Sequence, residues 1–299
     1  MSHSHSHNHA PSDVSDKVLL WSVIINFGLS GFEFGAGLIA GSVALMADAL
    51  HNTNDAAALL IAYIARKVSR KSANAQFTFG YKRAELIGAL IQLTALILVG
   101  LYLIYESIDR FWHPQPLRGN WIMMAAGIAL VVDLVTVWLL WAMSKGSLNV
   151  KAAFLHNLSD AGASLVVLLG GGAILLWDVP WLDPLMSLLI AGVILKMSWG
   201  MMKETVSILM ESAPPGIDTK ELKEKLESVA GVKELHHIHV WRLDEHHAAF
   251  ESHVLVDGKE SLPEMEPIKR RLKAILVETY DIQHSTLEFE TAICDSQEH

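Results

Sequence analysis

Residues 42–65 read SVALMADALHNTNDAAALLIAYIA, and residues 152–177 read AAFLHNLSDAGASLVVLLGGGAILLW. Each is as long as an apolar helix must be to cross a bilayer, about 20 residues. The same short phrase interrupts both: His-Asn-Thr-Asn-Asp at 51–55 and His-Asn-Leu-Ser-Asp at 156–160. Ionisable groups are rare and costly at that depth, so their presence signals function. In each copy the His and the Asp are four apart, which places them on one face of a helix. Two such helices facing each other offer two imidazoles and two carboxylates, from His51, Asp55, His156 and Asp160. That is a full four-coordinate shell for a divalent metal. In a membrane chain it points to a carrier of a metal ion.

The surrounding sequence supports a membrane setting. Of the 299 residues, 52% are hydrophobic, too many for an ordinary soluble domain. Six apolar stretches predict six spans, at about 18–40, 42–65, 84–106, 120–143, 152–177 and 183–209. Gly41-Ser42 turns the chain between the first two, His113-Pro114-Gln115-Pro116 between the third and fourth, and Leu176 to Pro180 between the last two. Basic residues concentrate in alternate links. Arg66, Lys67, Arg70, Lys71, Lys82 and Arg83 lie between the second and third stretches, and Lys145 and Lys151 near the fifth. The opposite links carry only Arg110 and Arg118, or no base. Positive loops stay in the cytoplasm, so both termini are expected there. No cleavable signal peptide is visible.

From Glu211 onward the chain is polar and holds 19 acids against 10 bases; before it the two balance at 13 each. The net charge of −9 therefore sits wholly in the C-terminal part. An acidic surface excludes nucleic acid as a partner, which rewards a basic face. Residues 218–229 and 262–279 read as helices, the latter with Pro267 inside it. His237 to Leu243, Ala248 to Val256 and Thr286 to Glu290 read as strands around a turn at Asp244 to His247. This order predicts a small α+β domain, large enough for a core yet small enough to gain from pairing with a copy of itself. The expected organisation is a disordered His-rich tail at 1–16, a six-span helical membrane domain at 17–210 and a cytosolic domain at 211–299.

Neutral imidazole and carboxylate suit Zn2+. The absence of thiolate disfavours copper(I), and the oxygens are too few for calcium or magnesium. Cadmium, cobalt and iron(II) remain alternative cargoes. Histidine titrates near physiological pH and must be deprotonated to bind metal, so protons compete at the same atoms and can serve as the counter-ion. A membrane metalloenzyme would need an open metal position and a separate base. The duplicated pairs fill four positions, so no enzyme activity is expected. A metal sensor without flux is the other rival. Asn26, Glu33, Asp48 and Asp133 are further polar groups within the spans, and Asp133 either supports the site, relays a proton or hydrogen-bonds a Ser or Thr of an adjacent span.

Histidine recurs outside the membrane. His236, His237, His239, His246, His247, His253 and His284 fall in the C-terminal domain and as a group suggest a second metal site. Strand alternation places His237 and His239 on one face and His236 on the other. His3, His5, His7 and His9 alternate with polar residues in the tail, as a loose metal collector or an inert segment. The one cysteine, Cys294, permits no internal disulfide.

Taken together, Ala47-Asp48-Ala49-Leu50-His51 with Asp55, Phe79-Gly80-Tyr81-Lys82-Arg83-Ala84-Glu85, His156 with Asp160, and His236-His237-Ile238-His239-Val240-Trp241 resemble the cation diffusion facilitator family, in its bacterial zinc-exporting branch. The resemblance runs from about Val18 to Glu290. It implies a homodimer in the inner membrane, with the central zinc site made by the second and fifth spans. It also implies a ferredoxin-like cytosolic domain that binds regulatory Zn2+ through His236, His253, His284 and Glu290. A basic residue at Arg83 is implied to pair with Glu211, tying the membrane part to the cytosolic one. Ser69 to Gln76 lacks the Asp and His with which some relatives build a further site in that link.

Overall fold

The computed structural model describes residues 16–143, 148–257 and 262–292. Six long helices come first: α1 (Asp16–Ala40), α2 (Val43–Ser69), α3 (Ala84–Trp112), α4 (Gly119–Met143), α5 (Leu148–Trp177) and α6 (Leu182–Leu209). Among the described residues, four stretches are long and apolar enough to cross a membrane: Ala84–Trp112, Gly119–Trp138, Leu158–Trp177 and Leu182–Leu209. α1 adds a shorter apolar stretch, Phe27–Ala40. The composition of α2 is diluted by Asp48, the 51–55 phrase, Arg66 and Lys67.

The described residues form two compact units, those within 16–63 and 91–200 and those within 64–90 and 201–292. In the first, α1 and α5 both pack on α4. Small side chains make this possible: Ala36, Ala40 and Ala44 meet Ala125 and Ala126, with Ile122 and Val167 filling the seam. Lipid gives apolar side chains no reason to hide, so close backbone approach drives helix association. Gly171 sits at a close approach of α5 to α4, where an added Cβ would lie 2.7 Å from Cγ2 of Ile122. Large apolar residues such as Leu98, Trp138 and Leu189 face outward.

The second unit contains α7 (Thr219–Glu227), β1 (Val232–Arg242), β2 (Ala248–Val256), α8 (Leu262–Tyr280) and β3 (His284–Glu290). The sheet order is β1-β2-β3, with β1 antiparallel and β3 parallel to β2. Parallel strands need a crossover, and α8 supplies it. Leu222 and Leu226 of α7, Leu272 and Leu276 of α8, and Phe250 and Val254 of β2 close one core. Asp218 caps α7, its side chain accepting from Lys220 N at 2.8 Å. β1 begins five residues before the strand expected from alternation and β3 two before. The reason for the longer β1 is a bulge: its pairing with β2 slips between His236 and His239, and His237 stands at φ 49.

Candidate metal centres

His51 and Asp55 lie one turn apart on α2, and Asp160 faces them from α5. His51 Nε2 is 3.5 Å from Asp55 Oδ2 and 3.5 Å from Asp160 Oδ1. In a tetrahedral zinc site with bonds of 2.0–2.1 Å, neighbouring ligand atoms stand about 3.4 Å apart. The two distances from His51 match the edges of such a shell, and all three donor atoms lie within 4.8 Å of one another. The backbone of His156 lies on α5 one turn before Asp160, but its side chain lies outside the described residues.

Behind these ligands is a buried polar layer. Asp48 is one turn before His51, Ser164 one turn after Asp160, and Asp133 on α4 lies across from both. The Ser164 hydroxyl is 2.9 Å from Asp133 Oδ2 and 3.3 Å from Asp48 Oδ2. Glu33 of α1, fully buried, accepts from Asn52 Nδ2 at 3.2 Å. Four helices thus converge on the His51 region with carboxylates and hydrogen-bonding groups, and the bond from Ser164 is the hydrogen bond to a Ser or Thr of an adjacent span that the sequence offered as one reading of Asp133. The Asn26 side chain lies outside the described residues.

A second cluster forms on the sheet. His236 and His253 are direct partners across β1 and β2. Glu290, at the last position of β3, reaches both: Oε2 is 3.0 Å from His236 Nε2, and Oε1 is 2.7 Å from His253 Nδ1. The donor atoms of the three residues all lie within 4.8 Å of one another. Two imidazoles and a carboxylate are a zinc-compatible donor set with room for a fourth ligand.

Two expectations for this cluster are corrected. His284 does not join it. His284 opens β3 and Glu290 ends it. Six residues of strand put them about 20 Å apart. The His284 ring packs edge-on against Phe79 instead, at 5.4 Å between centroids. His237, placed by alternation on the face opposite His236, packs its ring against this cluster. Its ring centroid is 4.8 Å from that of His253 and 5.4 Å from that of His236. The bulge breaks the alternation and re-aims the side chain, while His239 remains exposed. Two adjacent histidines in a strand were the only sign available in sequence.

Near the start of α3, Arg83 Nη2 donates to Glu211 Oε1 at 2.9 Å, and Lys82 Nζ lies 3.7 Å from Asp244 Oδ2. Burial alone would raise the Asp244 carboxyl. The N–H groups of His246 and His247 and the His247 ring outweigh that and hold it below the ordinary aspartate value. The stabilisation this turn provides is therefore present above the unfolded-state value and lost as pH falls through the lowered one. His246 and His247 are exposed and serve this turn. Cys294 and His3, His5, His7 and His9 lie outside the described residues.

Residues 19–210 match the cation efflux transmembrane domain, and residues 214–292 match the cytoplasmic domain of cation efflux proteins. The chain belongs to the cation efflux family. Its relatives in that family align over nearly their whole length. A cadmium, cobalt and zinc/H(+)-K(+) antiporter of Bacillus subtilis is 35% identical over 289 residues, 96% of this chain and 92% of that protein. The zinc transporter ZitB of Escherichia coli is 33% identical over 300 residues, 98% of this chain and 94% of that protein. The cation efflux protein CzcD of Cupriavidus metallidurans is 30% identical over 295 residues, 99% of this chain and 92% of that protein. The family consists of multi-pass membrane transporters of metal cations.

Proposed function

We propose that this chain is a zinc exporter of the bacterial cytoplasmic membrane, driven by protons moving inward and working as a homodimer with six spans per protomer and cytoplasmic termini. The observation that carries the reading is the His51–Asp55–Asp160 group, with His51 at zinc spacing from both carboxylates, between two helices that cross the same unit. His156 completes the shell. Metal enters from the cytosol, and protons displace it outside, because imidazole holds metal only when neutral. The two imidazoles favour zinc over manganese or iron, for which an all-oxygen site is better suited. The relative named for cadmium and cobalt as well as zinc supports a broader cargo range as the second reading.

The cytosolic cluster of His236, His253 and Glu290 fits zinc by its donor set, and we assign it to sensing cytosolic metal and favouring the dimer. The match to a cytoplasmic domain described for dimeric transporters supports the pairing. Zinc uptake into inverted vesicles, with and without an imposed pH gradient, tests the exporter. Flux that rises with the gradient is expected, and zinc binding without flux would make the chain a sensor.

Arg83 and Glu211 form the proposed interlock between the start of α3 and the segment after α6. Both are substantially exposed, and such pairs contribute little to stability. Arg83→Ala is therefore expected to leave the melting temperature nearly unchanged and zinc binding by the membrane site intact, while flux falls severalfold. Unchanged flux would remove the interlock from the mechanism.

A further inference from the structure

At the end of the bundle opposite the basic links, α2 begins inside the protein, not in solvent. A helix start leaves its first four N–H groups without intrahelical partners, and burial makes that costly. Ser42 accepts from Leu45 N at 3.0 Å through its side chain, as an N-cap does. The remaining donors are taken up from another helix. Asp183 of α6, 140 residues along the chain, accepts from Val43 N at 2.7 Å through Oδ2. Ala44 N also donates to it, and the Ser42 hydroxyl donates to its Oδ1. The corner ahead of α2 is held as well, since Arg110 Nη1 donates to Gly41 O at 2.8 Å and Arg118 N to Ala40 O at 2.9 Å.

We propose that Asp183 is a positioning residue of the transport site, fixing the start of α2 and thereby where His51 and Asp55 stand against α5. This rests on the reading of His51 and Asp55 as cation ligands. His51 is eight residues after Val43, about 12 Å along the axis. A slip of one residue at the start moves the helix about 1.5 Å and turns it about 100°. Either displacement is enough to part His51 from Asp160. A carboxylate suits the task because it accepts several N–H donors at once and meets the positive end of the α2 dipole. Asp183 and Ser42 are both almost fully buried. Fold alone does not demand a charge there, since a hydroxyl or amide caps a helix nearly as well and an acid within a membrane bundle is expensive.

The test compares Asp183→Ala, Asp183→Asn and Ser42→Ala in the full-length protein reconstituted in proteoliposomes. Half-saturating zinc, maximal flux and amide hydrogen exchange at 43–46 are read for each. Asp183→Ala is expected to raise half-saturating zinc about fivefold to tenfold, the scale of one lost cap, with faster exchange at Val43 and Ala44. Asp183→Asn keeps an acceptor oxygen and is expected to recover most of the affinity. Half-saturation equal to wild type in Asp183→Ala, despite faster exchange, would overturn the proposal, because the cap would then serve the fold alone. Should Asp183→Ala fail to fold, Ser42→Ala carries the test, with a rise of about threefold expected and no change overturning it. Zinc affinity titrated in a His236→Ala/Glu290→Ala background follows the same order without depending on flux. A wild type that binds zinc but does not move it therefore strikes the exporter reading and still leaves Asp183 tested.

Discussion

Asp160→Ala is expected to bring zinc flux in proteoliposomes down by more than about a hundredfold. Losing even an outer-shell partner of a metal ligand costs 10–100-fold, and Asp160 is placed as a ligand itself. Its oxygen stands 3.5 Å from His51 Nε2, where a shared metal requires it. The substitution removes one donor and one negative charge together. Three donors remain to hold a divalent ion with only Asp55 to balance it, in surroundings that penalise unbalanced charge. Asp160→Asn separates the two losses, since it keeps an oxygen of similar reach without the charge, and its flux is expected to fall between the two. The cytosolic cluster shares no residue with this site, so zinc bound there survives both substitutions. Flux within twofold of wild type in Asp160→Ala would remove Asp160 from the transport site.

The division between what the sequence disclosed and what it concealed follows from the range of each interaction. His51 with Asp55 was legible because four residues make one helical turn, and the matching phrase at 156–160 named the partner helix. The presence of α3 to α6 was legible because apolar composition reports helices that face lipid, while α2, α3 and α5 each run four to six residues past their expected apolar stretch. What the sequence could not disclose depends on contacts between distant elements. Ser164 looks like an ordinary small residue of an apolar stretch, and only the approach of α2 and α4 to α5 makes it the hydroxyl between Asp48 and Asp133. Asp183 reads as a first-turn acid of α6, and nothing local reveals that it caps α2. In the sheet, alternation misplaced His237 because a single residue of slip reverses every side chain beyond it. The implied ligand His284 failed for a simpler reason: a strand holds its two ends far apart.

Glu290→Ala is expected to abolish zinc binding by the cytosolic domain, whereas His284→Ala should leave it unchanged. Glu290 touches both histidines, one with each carboxylate oxygen. Its removal leaves two imidazoles facing across β1 and β2 without an anion to offset the metal's charge. His253 also approaches Glu288, at 3.6 Å, but that side chain is largely exposed and stands farther off than Glu290. His284 lies against Phe79 at the far end of β3, so no rotamer brings it to the cluster. Bound zinc stabilises the folded state by mass action, about 2.7 kcal/mol at a free concentration a hundredfold above Kd. Thermal melts of the full chain with and without zinc, in a His51→Ala/Asp160→Ala background that removes the membrane site, therefore read the cytosolic site, with the zinc-dependent shift kept in His284→Ala and missing in Glu290→Ala. His237→Ala is the informative third variant. Its ring stands within 5.4 Å of both other rings, so a partial loss identifies it as the fourth ligand delivered by the bulge. A full loss in His284→Ala would instead require β3 to slide by several residues when metal binds, breaking its parallel ladder with β2, and that cost is why the shorter set is the one expected.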